Sequence, residues 1–238
     1  AKLQINKIQR ISDYMEISFT PFASTEKYQI ECNGVIIDFI DNYGQSEIKY
    51  FHKNINLFKT YSYRVRIEDQ YGNVGGWSNS SICLGTSILE AAYQEDDSVE
   101  LQWTKIDEAT AYELDLGDQI IELSANNLKY NYKCPKTNTY RIRGKNSISF
   151  SEWSTYRTMI DAPCNLKVYR NFILRDILSW NAIDGISEYE IWCDGSIIDT
   201  VSSNEYKSGM RLPFSTHNYK VRGKKPFISG KWSQSIKI

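Results

Sequence analysis

The sequence predicts an all-β protein built of three tandem seven-stranded β-sandwiches laid end to end as an elongated rod. Three observations lead there. Four sequence blocks recur three times in one order, at separations of 76 to 84 residues. Within each copy the apolar residues alternate with period two around short turns. No stretch of useful length carries a helical period. At roughly 100–150 residues per domain, 238 residues would suggest one or two domains. A repeat of this regularity outweighs that prior. It divides the chain into residues 1–85, 86–161 and 162–238.

The first strand of each copy is the weakest signal. Ala162-Pro163 introduces it in the third copy, and the first copy lacks a proline there. The second strand reads "YMEISF", "SVELQW" or "RDILSW", closing on Phe19, Trp103 or Trp180. Nine residues later come "YQIECNGVII", "YELDLGDQII" and "YEIWCDGSII", beginning at Tyr28, Tyr112 and Tyr189. Each is a strand, a turn and a second apolar run, which is a hairpin. A short fifth strand follows. The sixth is "YRVR", "YRIR" or "YKVR", from Tyr63, Tyr140 and Tyr219. The seventh carries Gly76-Trp77-Ser78, Glu152-Trp153-Ser154 or Lys231-Trp232-Ser233. In the third copy this places strands at 164–169, 175–180, 188–193, 196–200, 204–207, 217–224 and 230–236.

These blocks resemble fibronectin type III domains over essentially the whole chain. The aromatic ending the second strand, the Tyr-x-hydrophobic start of the third and the Leu57…Thr60-Tyr61-Ser62-Tyr63-Arg64-Val65 approach to the sixth carry the resemblance. Leu212-Pro213…Tyr219-Lys220-Val221 is a variant of that approach. The Trp-Ser pair, and "FSEWS" at 150–154 above all, is similar to elements of cytokine-receptor type III domains. The first copy departs in using Phe19 where the others have Trp.

Strand alternation sorts the recurring side chains. Tyr189, Ile191 and Cys193 share a core face, with Glu190 and Trp192 on the other. Tyr63, Tyr140 and Tyr219 point inward and are expected to place their hydroxyls on nearby backbone, as a tyrosine corner does. Arg66, Arg143 and Arg222 point outward and recur with Trp77, Trp153 and Trp232. Each guanidinium is expected to stack on its indole, worth about 0.5–1 kcal/mol at an exposed site. Such a stack resembles the Arg–Trp ladder of cytokine-receptor domains. A pair present in every copy reads as scaffold, because a ligand site would differ between copies.

Composition excludes several classes. Apolar content of 41% and charged content of 24% are those of an ordinary folded protein. No apolar run approaches the ~18 residues of a spanning helix, so membrane insertion is not expected. The net charge of −1 gives no field that would draw nucleic acid. The charge is unevenly spread: residues 1–85 are neutral, 86–160 carry −4 and 161–238 carry +3. That is read either as solvated surface charge or as a basis for head-to-tail contacts. Five cysteines cannot all pair, and they are expected to be reduced, with Cys32 and Cys193 as small core residues. The segment Ala1-Lys2-Leu3-Gln4-Ile5-Asn6 has no signal-peptide pattern and reads as a trimmed start, an excised piece or a processed end.

No catalytic residues, metal site or cofactor are expected. The two histidines, His52 and His217, lie in different copies, and nothing in their spacing supports a hydrolase triad. The cysteines lack zinc-ligand spacing. Gly72…Gly75-Gly76 reads as turn glycines and not as a phosphate loop. Asp96-Asp97 is read as a turn, with calcium as the alternative, and Asn79-Ser80-Ser81 is a single sequon of little weight. Arg222, Lys224 and Lys225, with Lys220 and Lys231, form a basic patch interrupted by Glu188, Glu190 and Glu205. Nucleic-acid binding is therefore not expected.

Partner contacts are sought where the copies differ. Trp192 stands where the other copies carry Glu31 and Asp115. It reads either as a contact or as packing on a neighbour. Tyr71, Phe150 and Phe227 lie in the loops between sixth and seventh strands, as contact points or as caps on their own cores. The expected function is a non-enzymatic structural or interaction protein. Usage rich in Ile, Asn, Lys and Tyr looks like that of an AT-rich bacterial or phage genome, and the Gly-x-Trp-Ser modules resemble those of bacterial surface enzymes and phage virion proteins. A tail, neck or capsid decoration component is therefore expected, with protein partners in symmetric copies and localisation in the virion. The alternatives are a spacer or adhesion fragment of a secreted or surface bacterial polysaccharide-degrading enzyme or adhesin, with carbohydrate as a possible ligand through Trp192, and a receptor-like module binding a protein ligand.

Overall fold

The computed structural model describes residues 3–22, 27–133 and 135–238. Ala1, Lys2 and Cys134 therefore lie outside the described residues, along with 23–26. The described residues form strands and no helix.

The first module contains β1 (Ile5–Ile11), β2 (Tyr14–Phe19), β3 (Lys27–Cys32), β4 (Val35–Asp41), β5 (Ile48–Lys53), β6 (Tyr61–Glu68) and β7 (Ser81–Cys83). They make two antiparallel sheets, ordered β1-β2-β5 and β4-β3-β6-β7. The second module repeats this with β8 (Leu89–Tyr93), β9 (Val99–Trp103), β10 (Ala111–Asp115), β11 (Ile120–Ser124), β12 (Lys129–Tyr132), β13 (Thr139–Lys145) and β14 (Arg157–Thr158). Its sheet orders are β8-β9-β12 and β11-β10-β13-β14. In the third module are β15 (Lys167–Arg170), β16 (Arg175–Ser179), β17 (Glu188–Cys193), β18 (Ser196–Val201), β19 (Glu205–Met210), β20 (Asn218–Lys225), β21 (Ile228–Ser229) and β22 (Ile236–Lys237). Here the orders are β15-β16-β19 and β18-β17-β20, with β22 on β20. Three- and four-stranded sheets with this crossover are the fibronectin type III arrangement, and the chain has the fold of a tandem array of such sandwiches.

Both sheets of each module supply its core, as two facing layers require. In the first module Met15, Ile17 and Phe19 of β2 meet Tyr28, Ile30 and Cys32 of β3 and Tyr63 and Val65 of β6. The nine-residue spacing seen in the sequence is a ring contact. Centroids lie 5.1 Å apart for Phe19–Tyr28, 5.8 Å for Trp103–Tyr112 and 5.3 Å for Trp180–Tyr189. Hairpin turns at Asn33-Gly34 and Asp194-Gly195 have positive φ at both residues, the geometry that matches strand twist.

The seventh strand differs from its expected 230–236 span in the third module. Only β22, two residues long, pairs with β20 near the chain end, and β21 precedes the Trp-Ser pair. A side chain is the cause. The Ser233 Oγ accepts the Val221 N–H at 3.0 Å, while Ser233 N–H donates to the Val221 carbonyl at 2.8 Å. Ser78 does the same for Val65, and Ser154 for Ile142. The serine hydroxyl stands in for a ladder carbonyl, so the recurring Trp-Ser segment follows the sixth strand without being a regular strand.

The modules meet at two built junctions. At the first, Thr60 Oγ1 accepts the Gly85 N–H at 3.0 Å and donates to the Asp107 carbonyl at 2.8 Å. A Cβ at Gly85 would lie 2.5 Å from the Phe58 carbonyl oxygen, so glycine permits this approach. At the second, β21 pairs in parallel with β8, Ile228 opposite Ala91, joining sheets of the second and third modules into one. Ala91 N–H donates to the Phe227 carbonyl at 3.0 Å. Ile160 and Ile228 belong to the second module's core, and Ile183 and Ile186 touch both cores. Lys231–Asp97 at 3.0 Å and Lys220–Glu95 at 3.9 Å cross the junction, bringing together the acidic second and basic third modules.

Candidate functional site

The face formed by each third and sixth strand carries the most conspicuous side chains. Antiparallel register sets Gln29 opposite Arg66 and Glu31 opposite Arg64 on β3 and β6. Glu113 faces Arg143 and Asp115 faces Arg141 on β10 and β13. On β17 and β20, Glu190 faces Arg222 and Trp192 faces Lys220. The guanidinium of Arg66 lies 4.3 Å from the Trp77 ring centroid, that of Arg143 4.4 Å from Trp153, and that of Arg222 4.3 Å from Trp232. All three are within cation–π range.

A second arginine joins each stack in the first two modules. Arg64 is 5.3 Å from Trp77, and Arg141 is 4.5 Å from Trp153. The sequence signal was present: "YRVR" and "YRIR" place two arginines two residues apart on one strand face. In the second module the stack grows to five, as Phe150 lies 4.2 Å from Arg143 and Tyr156 lies 4.5 Å from Arg141. Carboxylates hold the other edge of these cations. Arg64–Glu31 is 2.7 Å, Arg141–Asp115 2.9 Å, Arg143–Glu113 2.7 Å and Arg222–Glu190 2.6 Å. Burial works to raise the Glu190 carboxyl, but Lys224 and Arg222 together hold it below its usual range.

Trp192 takes its place in the same scheme. Its cross-strand partner is Lys220, whose Nζ lies 4.6 Å from the ring centroid. The acid–arginine pair of the other modules is replaced here by a tryptophan–lysine pair. The structure gives Trp192 an intramolecular neighbour in Lys220, and a contact with a partner remains a proposal. The loop aromatics divide. Phe150 lies in the stack, and Phe227 lies against Arg157 of the second module, 4.9 Å from ring to guanidinium. Tyr71 stands 81% exposed on a loop pinned by Asp69, which accepts the N–H groups of Tyr71 and Asn73.

The tyrosine-corner expectation needs correction at two of three positions. Tyr140 donates to the Thr137 carbonyl at 2.6 Å. Tyr63 instead bonds to His52 Nδ1 at 2.8 Å. Burial, with Lys59 beside it, lowers the His52 pKa and favours the neutral ring, whose Nδ1 accepts the phenol O–H in the Nε2–H tautomer. Tyr219 donates to Asp176 Oδ2 at 2.7 Å and accepts from Arg211. A side chain within reach competes with the backbone in each case, and sequence alternation does not reveal it. The residues that do bind backbone in all three modules are the third-strand tyrosines. Tyr28, Tyr112 and Tyr189 accept N–H from Phe22, Ile106 and Ile183, each six residues upstream, at 2.8–2.9 Å.

The remaining candidates resolve into local roles. Asp96 accepts the Ser98 N–H, and Asp97 pairs with Lys231. Of the basic patch, Arg222 and Lys224 are held by Glu190, Lys220 by Glu95 and Lys231 by Asp97. Cys32, Cys83, Cys164 and Cys193 are unbridged. His217 is not isolated as its spacing suggested. Its Nδ1 lies 2.7 Å from Asp194 Oδ2 and its Nε2 3.1 Å from Ser215 Oγ. This is the outline of a triad, yet the Ser215 hydroxyl donates to the Leu212 carbonyl at 2.8 Å, which turns its proton away from the imidazole. Among the described residues, no helix is long and apolar enough to cross a membrane.

No family model matches the sequence, and no curated protein does. Solved structures with similarity include three fibronectin type III segments. The FN1–FN3 domains of chicken CNTN1 are 13% identical, cover 100% of this chain and 97% of that one, and give a TM-score of 0.32. The central fibronectin-III array of RIM-binding protein is 12% identical with coverage of 100% and 97% and a TM-score of 0.30. A two-domain fibronectin type-III segment from chicken tenascin is 14% identical, covers 63% of this chain and 97% of that one, and gives 0.32.

Proposed function

We propose that this chain, which has the fold of a tandem fibronectin type III array, is a non-enzymatic structural and interaction protein and serves as a virion component of tail, neck or capsid decoration type. The observation that carries the reading is how the recurring chemistry is used. The arginine–tryptophan stacks, third-strand tyrosines and Trp-Ser serines occur in all three modules and bind the chain to itself. The copy-specific charges at the second junction bind module to module. Recurring side chains used to hold the chain to itself support a structural role. The AT-rich style of residue usage and the Gly-x-Trp-Ser modules support a phage setting.

The test is assembly. Purified virions of the source phage are expected to contain the chain in a symmetric copy number, and its gene is expected to lie among capsid and tail genes. A hydrolase encoded in the same reading frame, with the purified chain monomeric and absent from particles, would instead make it a spacer of a secreted enzyme. Carbohydrate binding lost in Trp192→Ala would likewise overturn the virion reading.

A further inference from the structure

We propose that the third module holds a divalent metal site of zinc type, with Cys193 Sγ, Asp194 Oδ2 and His217 Nδ1 as its three protein ligands. These atoms lie within 4.8 Å of one another. They converge because the β17–β18 turn abuts the start of β20, where Cys193 pairs with Tyr219 and Asp194 N–H donates to the Asn218 carbonyl. Their 24-residue separation hides the cluster from any spacing motif.

The hydrogen bonding leaves room for a cation at this point in one tautomer of His217. Ser215 Oγ gives its proton to the Leu212 carbonyl, so it faces His217 Nε2 as an acceptor. That arrangement is met by the tautomer with its N–H on Nε2, which leaves a lone pair on Nδ1. Asp194 Oδ2, also an acceptor, is 2.7 Å from that lone pair. A ring proton on Nδ1 can fill this contact by donating to the carboxylate, and in the Nε2–H tautomer a metal ion can take that proton's place between nitrogen and oxygen. Cys193 Sγ lies 3.5 Å from the same oxygen and supplies a third ligand of the kind zinc prefers. A tetrahedral zinc ion with bonds of about 2.0–2.3 Å spaces its ligands about 3.3–3.8 Å apart, so the Asp194–His217 contact need open by only about 1 Å. On binding, the thiol loses its proton to solvent and the sulfur–zinc bond forms. The Asp194 side chain is 42% exposed, which leaves an entry path and room for water as fourth ligand. Ser215 orients the imidazole through Nε2, as outer partners of metal-bound histidines do. Opposing this, Arg211 Nη2 lies 3.9 Å from the sulfur, though that cation is shared with Asp176 and Tyr219.

The first module is a built-in control. Its matching turn has Cys32 and Asn33, with Tyr61 where His217 stands. Asn33 Oδ1 accepts the Ser62 N–H at 2.8 Å, as Asp194 Oδ1 accepts that of Asn218. Asp194→Asn and His217→Tyr therefore restore residues this scaffold already accommodates, and both variants are expected to fold.

The experiment titrates the chelator-treated full chain with Zn²⁺ by calorimetry and with Co²⁺ by absorbance. The variant with Cys32, Cys83, Cys134 and Cys164 all changed to Ser is expected to bind one equivalent and show a cobalt–thiolate band. Cys193→Ser is expected to abolish that band. Asp194→Asn and His217→Tyr should each weaken Zn²⁺ binding by at least about tenfold, and Ser215→Ala by about 10–100-fold. Absence of binding in the four-cysteine variant, a band surviving Cys193→Ser, or affinity unchanged in both Asp194→Asn and His217→Tyr would overturn the proposal.

Discussion

Asp176 shows how one residue can set the stability of a module. It is fully buried on β16, held by Arg170 at 2.6 Å, by the Tyr219 hydroxyl at 2.7 Å and by Arg211 at 3.6 Å. Asp176→Asn leaves two arginines without their counter-charge and is expected to destabilise the third module by about 3–5 kcal/mol, measured by urea unfolding. Burial works to raise this carboxyl, but Arg170, Tyr219 and Arg211 together hold it below its ordinary 3.8. A depressed folded pKa gives stability that is complete above the unfolded value and lost as pH falls through the folded one. The third module should thus weaken below about pH 4, and Asp176→Asn should flatten that dependence; an unchanged acid limb would contradict this. Nothing local announced Asp176, because its partners lie up to 43 residues away. Arg66, Arg143 and Arg222 were legible because each recurs beside its tryptophan. Trp192 was legible as an oddity, whereas Lys220 as its cover needed the register.

At the scale of elements, the serine of each Trp-Ser pair replaces a carbonyl on the sixth strand. Ser78→Ala, Ser154→Ala and Ser233→Ala each leave a buried N–H without its acceptor. Each is expected to cost about 1–3 kcal/mol, and to cost similar amounts, because the geometry is the same at 3.0 Å in every module. A wide spread among the three would show that the hydroxyl is not the common cause. The stacks predict the opposite pattern. Trp153 lies between two arginines, which Phe150 and Tyr156 flank, whereas Trp232 has Arg222 and no second arginine opposite it. Trp153→Ala should therefore destabilise its module more than Trp232→Ala does, by about 0.5–1 kcal/mol for the extra cation–π contact. Thermal unfolding of the two variants checks the order. Second, third and sixth strands could be read from their recurring apolar and aromatic residues, because these are buried in the cores. The seventh could not be read correctly, since its bonds pass through a side chain.

At the scale of the molecule, the junctions decide whether three sandwiches behave as three bodies. Repetition in the sequence makes the modules look independent, and the charge difference between the second and third was the only hint otherwise. The parallel pairing of β21 with β8 has no local signature, because two-residue strands are defined only by their partners. Gly230 sits at this junction, where a Cβ would come 2.9 Å from the Gly223 carbonyl oxygen and from Ile160. The joined sheet, Ile183 and Ile186 packed on both cores, Ile228 entering the second module's core, and two ion pairs are expected to make the second and third modules one cooperative unit. The most direct test is scanning calorimetry of the intact chain and of Gly230→Ala. The intact chain is expected to show one transition for the second and third modules together, which Gly230→Ala splits in two. Separate transitions for these modules in the intact chain, left in place by Gly230→Ala, would contradict the account.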